Sequence, residues 1–263
     1  MIEYIKNILA VIFFKIFPKT FGRGYERYKV YCIKKIINNK KLYNNQYLDE
    51  RIIEIPWIVN KLKKSKGLLL DAGSTINHSY ILDELLHFKK IFITTLFPEK
   101  KNFPKKNVKY SYEDLENIKF KKDYFDVITC ISTLEHIGFS NDHYNYDKKK
   151  DMIIKTYDDN KYLRVIKKLK YVLKKNGKLL LTVPYGKKEI FHNLQQFGKK
   201  DLKDIITTFH PKKFDIIYFV NKKNNWVQIN PEKIKDVQPK FKIHKNKKFV
   251  LSANSVALIE MTK

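Results

Sequence analysis

Two short stretches carry side chains that could do chemistry. In GLLLDAGSTINHSYILDELL (67–86) an apolar run ends on a carboxylate, Asp71, and then come Gly73, Ser74 and Thr75 before apolar residues at helical spacing. In FDVITCISTLEHIG (125–138) a second apolar run is followed by Ser132, Glu135 and His136. Both read as strand, turn, then helix, and in open α/β sheets ligands sit outside the carboxyl ends of such strands, so the two sets are expected on one edge. A histidine titrates in the range needed to take a proton from a hydroxyl near neutrality, which makes His136 the first candidate base; the alternative is a histidine that hydrogen-bonds its own loop. Glu135 is a second candidate, weighed against a structural or ligand-facing role. His143, His192 and His210 are further possibilities, with FHNLQQFG (191–198) polar enough to line a pocket or to be a surface loop.

These residues need a scaffold, and the apolar runs provide one. GLLLD (67–71), KIFITTL (90–96), VKYSY (108–112), FDVITCI (125–131) and GKLLLTVP (177–184) alternate with helical stretches such as NHSYILDELLHF and DDNKYLRVIKKLKYVLKKNG, the latter closed by Asn176 and Gly177 as a C-cap. Such alternation implies parallel strands joined by right-handed crossovers. The tail differs. After the helix candidate KKDLKDIITTF, strands FDIIYFV (214–220) and NSVALIEMT (254–262) are separated by a Lys- and Asn-rich insertion at about 221–253, and they most simply form a closing antiparallel hairpin. The expected fold is therefore α/β, a Rossmann-like, mostly parallel sheet of seven strands with helices on both faces. Residues 1–60 read as a helical extension and 61–263 as the main domain. Trp57 reads as core, whereas Trp226, in the insertion, has less apolar company.

Composition narrows the partners. The formal charge is +27, yet only four of the 54 basic residues, Arg23, Arg27, Arg51 and Arg164, are arginines, and the lysines are spread along the whole chain. Nucleic acid is usually gripped through bidentate arginines, so the charge reads as a general compositional bias. Cys32 and Cys130 have apolar neighbours and no metal-ligand spacing, which suits a reducing cytoplasm; no metal site is expected. At the N-terminus, Ile8 to Phe14 make an apolar run too short to span a bilayer, and no small-residue cleavage site follows. Residues 1–20 read either as a helix packed on the domain or as an interfacial helix with peripheral contact to the inner membrane face.

The first turn has one glycine where a pyrophosphate cradle has three, which disfavours a dinucleotide. A ligand with an adenosine, an ammonium and a carboxylate but no phosphates needs less glycine. With LLLDAGS, YEDLENIKFKKDYFDVITCISTLEHIG and VIKKLKYVLKKNGKLLLTVPYG, the chain from about Glu50 to its end resembles the class I S-adenosylmethionine-dependent methyltransferases. Within them, DAGSTINH, TLFPE and CISTLEHIG are similar to a bacterial subgroup associated with surface-glycan and small-molecule methylation. The resemblance implies S-adenosyl-L-methionine as cofactor. By it, Asp71 orients the methionine amino group directly or through water, Gly73 and Ser74 let the cofactor approach, Asp114 and Leu115 meet the adenine, and Ser132 lies beside them. Members usually end the second strand with an acid for the ribose hydroxyls. This chain offers Thr95 there, or Glu99 reaching back from the loop. The implied activity is O-methylation of a small, anionic or carbohydrate-like acceptor, phosphorylated or sugar-linked, in capsule or glycan-ornament biosynthesis. An RNA or DNA methyltransferase, a cofactor-binding relic and a membrane-associated partner protein are the alternatives.

Overall fold

The computed structural model describes residues 18–38, 48–99, 102–103, 107–139, 157–191, 194–223, 225–234, 236–237, 240–243 and 249–263. Two helices, α1 (Pro18–Ile37) and α2 (Arg51–Leu62), precede the first strand, β1 (Leu68–Ala72). There follow α3 (Ser79–Leu82), β2 (Lys90–Thr95), β3 (Val108–Tyr112), β4 (Phe125–Ile131), α4 (Lys161–Val172) and β5 (Leu173–Pro184). A small hairpin, β6 (Glu189–Phe191) and β7 (Leu194–Gln196), leads into α5 (Lys199–Phe209), β8 (Lys213–Lys222) and β9 (Asn225–Gln228). A second small pair, β10 (Lys240–Ile243) and β11 (Phe249–Ser252), precedes the last strand, β12 (Ser255–Thr262).

The main sheet runs β3-β2-β1-β4-β5-β12-β8-β9, one strand more than expected from the sequence. Strands β3, β2, β1, β4 and β5 are parallel, while β12 runs antiparallel to both β5 and β8. The two closing strands do pair antiparallel, but β12 is inserted between β5 and β8, and the sheet edge is instead the β8–β9 hairpin. Covered on both faces, the central strands are apolar at successive positions. Leu69, Val127, Leu180, Val256 and Leu258 face α1 and α2, whereas Leu70, Ile128, Leu179, Leu181 and Ala257 face the α4 and α5 side. Trp226 belongs to this core: it is 6% exposed, and its indole Nε1 donates to the Leu48 carbonyl at 3.0 Å, fastening β9 to the segment before α2.

Two local readings change. The stretch NHSYILDELLHF contains only one turn of α-helix, which passes into a 3₁₀ turn at Asp83–Leu85. Helix α4 ends at Val172, and the left-handed residue near its end is Asn176, with φ of 63°, rather than Gly177. Asn176 N–H donates to the Lys263 carbonyl and Lys263 N–H to the Gly177 carbonyl, so the chain terminus closes this bend. Among the described residues no helix is long and apolar enough to cross a membrane, and residues 1–17 lie outside them. Cys32 and Cys130 are free and buried.

Candidate functional site

The carboxyl ends of β1, β2, β3, β4 and β5 share one edge of the sheet. Asp71 stands near the end of β1 with no exposed surface. One of its carboxylate oxygens accepts from the Ile76 N–H at 2.9 Å and the other from the Thr129 hydroxyl at 2.7 Å. Burial pushes its pKa up to about 7, against the opposing effect of these two bonds. Asp71 thus holds the turn that follows β1 and ties it to β4. The resemblance implies that Asp71 orients a ligand ammonium directly or through water; in the structure each of its oxygens accepts one bond from the protein.

The turn itself uses left-handed backbone twice, at Gly73 (φ 117°) and Ser74 (φ 67°). A Cβ at Gly73 would lie 2.0 Å from Thr133 Oγ1, so glycine is needed there for the β4 turn to close on the β1 turn. Thr75 reinforces the closure by donating to the Ile131 carbonyl at 2.8 Å. Ser74 Oγ is buried and has no partner among the described residues, which leaves a hydroxyl available to a ligand polar group at this turn.

The ends of β2 and β3 carry a polar chain. The Glu99 carboxylate accepts from the Asn77 side-chain amide at 2.8 Å, and Tyr110 donates its hydroxyl to Asn77 Oδ1 at 2.9 Å. Thr95 stays on the backbone ladder, accepting from Glu113 N–H with its carbonyl. In the loop after β3, Asp114 accepts the Glu116 N–H at 2.9 Å and pairs with Lys161 at 2.6 Å, and Leu115 beside it is buried. Asp114 therefore shapes its own turn, as an acid at that position can, and remains partly open to solvent.

On the β4 side the sequence missed the main organiser. Glu54, on α2, is fully buried, and one of its oxygens accepts from Ser132 Oγ at 2.7 Å and Thr182 Oγ1 at 2.6 Å. Its other oxygen pairs with Arg51 at 2.7 Å. Helix α2 is thereby pinned across the ends of β4 and β5. Ser132, expected to meet cofactor, spends its hydroxyl on Glu54 and adopts a left-handed φ of 42°. The only local signal for Glu54 was a charged residue set in an apolar helical stripe.

Glu135 and His136 lie on a 3₁₀ turn, Leu134–His136, just beyond β4. Glu135 is 4% exposed and its Oε2 has no partner among the described residues. Burial, with the neighbouring charges of Glu54 and Glu50 against that of Arg51, raises its pKa to about 8. Half-buried His136 donates its backbone N–H to the Thr133 carbonyl. His143 and His192 lie outside the described residues, and His210 is the left-handed C-cap of α5, away from this edge.

The raised pKa of Glu135 has a sign. An acid whose folded pKa lies above its unfolded value of about 4 binds a proton more tightly when folded, so it costs stability as pH rises from about 4 towards 8. Glu135→Gln is therefore expected to raise the melting temperature at pH 8.5 by several degrees relative to wild type, at about 2–4 °C per kcal/mol. At pH 4 the change shrinks to near zero or below. Thermal denaturation followed by circular dichroism at both pH values checks this, and equal shifts at both would contradict it.

The residues present suit a ligand with dispersed polar groups and no pyrophosphate: an orphaned hydroxyl at the β1 turn, a polar chain at the β2 and β3 ends, and acids beyond β4. No family model matches the chain. It is 28% identical over 188 residues to an uncharacterised protein of Methanocaldococcus jannaschii, covering 69% of this chain and 70% of that one. Among solved structures it is similar to 1,6-didemethyltoxoflavin-N1-methyltransferase of Burkholderia thailandensis, which holds S-adenosylhomocysteine, at 10% identity and TM-score 0.49, covering 82% of this chain and 79% of that one. The N-methyltransferase NodS of Bradyrhizobium japonicum, also with S-adenosylhomocysteine, gives 10% identity and TM-score 0.43 over 79% of this chain and 84% of that one.

Proposed function

We propose that the protein is an S-adenosylmethionine-dependent methyltransferase that methylates a small carbohydrate-like acceptor at a hydroxyl. The observation that carries the reading is the sheet order with β12 reversed between β5 and β8, set behind an acid-bearing, glycine-poor β1 turn. That ending separates the fold from a doubly wound dinucleotide-binding sheet, and the motifs of the β1, β4 and β5 segments resemble class I methyltransferases. Ser74, the Asn77–Glu99 pair and the Asp114–Leu115 loop are the residues that would hold the cofactor.

When bound, that cofactor supplies a methyl group on a sulfonium. The chain's share is alignment, exclusion of water and removal of a proton. On transfer of that methyl group to the acceptor oxygen, the hydroxyl proton would pass to Glu135 or His136. A carboxylate with a pKa of about 8 is a far better base than an ordinary glutamate. Sugars, or phosphorylated precursors of a surface glycan, are the acceptors to test first; lysines outside the site suit an acidic portion of such a molecule. We place the enzyme in the cytoplasm, with residues 1–20 as the segment that would touch the inner membrane face.

Transfer of labelled methyl from S-adenosylmethionine to a panel of monosaccharides and sugar phosphates tests the activity. Wild type is expected to label at least one hydroxylated acceptor, and Glu135→Gln to lower kcat by about 10²–10⁴-fold. Labelling confined to amines or to nucleic acid would overturn the reading.

A further inference from the structure

We propose that Gln195 and Glu135 together form a hydroxyl-selecting subsite, so that the acceptor is a neutral polyol at the point of methylation. The inference rests on the functional reading above and names the chemistry of its acceptor end.

Gln195, on β7, has no exposed surface. Its side-chain oxygen accepts from the Tyr157 hydroxyl at 3.0 Å and from Lys188 Nζ at 2.7 Å. A lysine ammonium can only donate, so the orientation of the amide is settled: the oxygen faces Lys188, and the NH₂ is the end left over. That Nε2 is buried, with no partner among the described residues. A buried donor left unpaired loses its hydration with nothing in return, which makes it an unusual thing to build.

The hairpin is also held firmly. Gln196 Nε2 donates to the Lys187 carbonyl at 2.9 Å and to the Val237 carbonyl at 2.8 Å, and Tyr185 bridges to Phe197 where β5 leaves the sheet. Strand β7 packs against the Leu134–His136 turn. The turn carries the complementary orphan, Glu135 Oε2, also buried and without a partner among the described residues. An unsatisfied amide donor and an unsatisfied carboxyl oxygen therefore stand on two elements in contact, beyond the carboxyl end of β4.

The pair discriminates between ligand classes. A hydroxyl can accept from the Gln195 amide while donating to Glu135, and two neighbouring hydroxyls can do so separately. An ammonium would satisfy Glu135 but turn its donors on the amide NH₂. A carboxylate or phosphate would satisfy the amide but, once Glu135 is ionised above about pH 8, would meet its negative charge. An anionic group on the acceptor must then lie away from this subsite. A cluster of acids alone would favour any cation; the amide is what selects for oxygen.

The test uses full-length protein loaded with S-adenosylhomocysteine, with uptake of that ligand measured by calorimetry on every sample. Saturation-transfer NMR then compares cis-cyclohexane-1,2-diol, cyclohexylammonium and cyclohexanecarboxylate, which share one ring and differ in the polar group. We expect saturable binding of the diol, at least tenfold tighter than either ion. Gln195→Glu keeps an oxygen for Tyr157 and Lys188 and puts an acceptor oxygen with a negative charge where the amide donor stood. It is expected to weaken the diol tenfold or more while leaving S-adenosylhomocysteine uptake unchanged. Normal uptake with no preference for the diol in wild type, or an unaltered diol affinity in Gln195→Glu, overturns this inference alone. A folded protein that takes up no S-adenosylhomocysteine overturns the functional reading and this one with it.

Discussion

Glu54→Ala is expected to lower the unfolding free energy by about 3–5 kcal/mol, the range for removing one partner of a buried ion pair. The carboxylate is fully buried and receives three groups, from Arg51, Ser132 and Thr182. Its loss strands two hydroxyls and a guanidinium at once. Those hydroxyls belong to the ends of β4 and β5, and Ser132 N–H also donates to Thr182 Oγ1 at 3.1 Å, so the variant loosens both strand ends and the left-handed bend at Ser132. Glu54→Gln retains one oxygen for the two hydroxyls and forfeits only the charge paired with Arg51, so it should fall between wild type and Glu54→Ala. Urea denaturation of the three proteins measures this. A loss below about 1 kcal/mol for Glu54→Ala, the size of one ordinary hydrogen bond, would mean that α2 is not pinned through this residue.

The second large effect is functional. Asp71→Ala is expected to weaken S-adenosylhomocysteine binding by about 100-fold, which corresponds to about 2.7 kcal/mol. Asp71 shapes the site through the turn it holds. Removing its carboxylate frees Ile76 N–H and the Thr129 hydroxyl, and with them the register of Gly73 and Ser74 against Thr133. Asp71→Asn should do less damage, because its amide oxygen can still accept one of the two bonds. Titration calorimetry on folded samples reads both. Equal, undiminished affinity in both variants would remove Asp71 from the account of the site.

Much of the scaffold is legible in the sequence because it is written locally. VKYSY and FDVITCI match β3 and β4 residue for residue, and KKDLKDIITTF matches α5, since an apolar run or a helical period is a property of neighbouring residues. The placement of β12 is not local. Its pairing with β5 and β8 depends on how a long insertion returns, and an eight-residue apolar run looks the same at an edge as in the middle. Trp226 misled for a related reason. Its sequence neighbours are Lys and Asn, while its actual company is Leu48 and the α1 and α2 core, far away along the chain.

The site divides the same way. Asp71, Gly73, Ser132, Glu135 and His136 could be picked out because each follows a recognisable strand. What each one does could not. Asp71 and Ser132 are committed to Thr129, Ile76 and Glu54, and only the folded chain brings those partners within hydrogen-bonding reach. Asn77, Tyr110, Glu54 and Gln195 left almost no trace beyond a polar residue in an apolar setting. Buried polar groups are specified by their partners, and partners 128 positions apart, as Glu54 and Thr182 are, share no local pattern.

The central claim is that the edge formed by the β1, β2, β3 and β4 turns holds S-adenosylmethionine. Calorimetric titration of the wild-type protein with S-adenosylmethionine and S-adenosylhomocysteine tests it most directly. The account predicts saturable, one-to-one binding of both, with a dissociation constant on the order of micromolar, about −8 kcal/mol. No saturable heat from either ligand, on protein shown to be folded by a cooperative thermal transition, would contradict it.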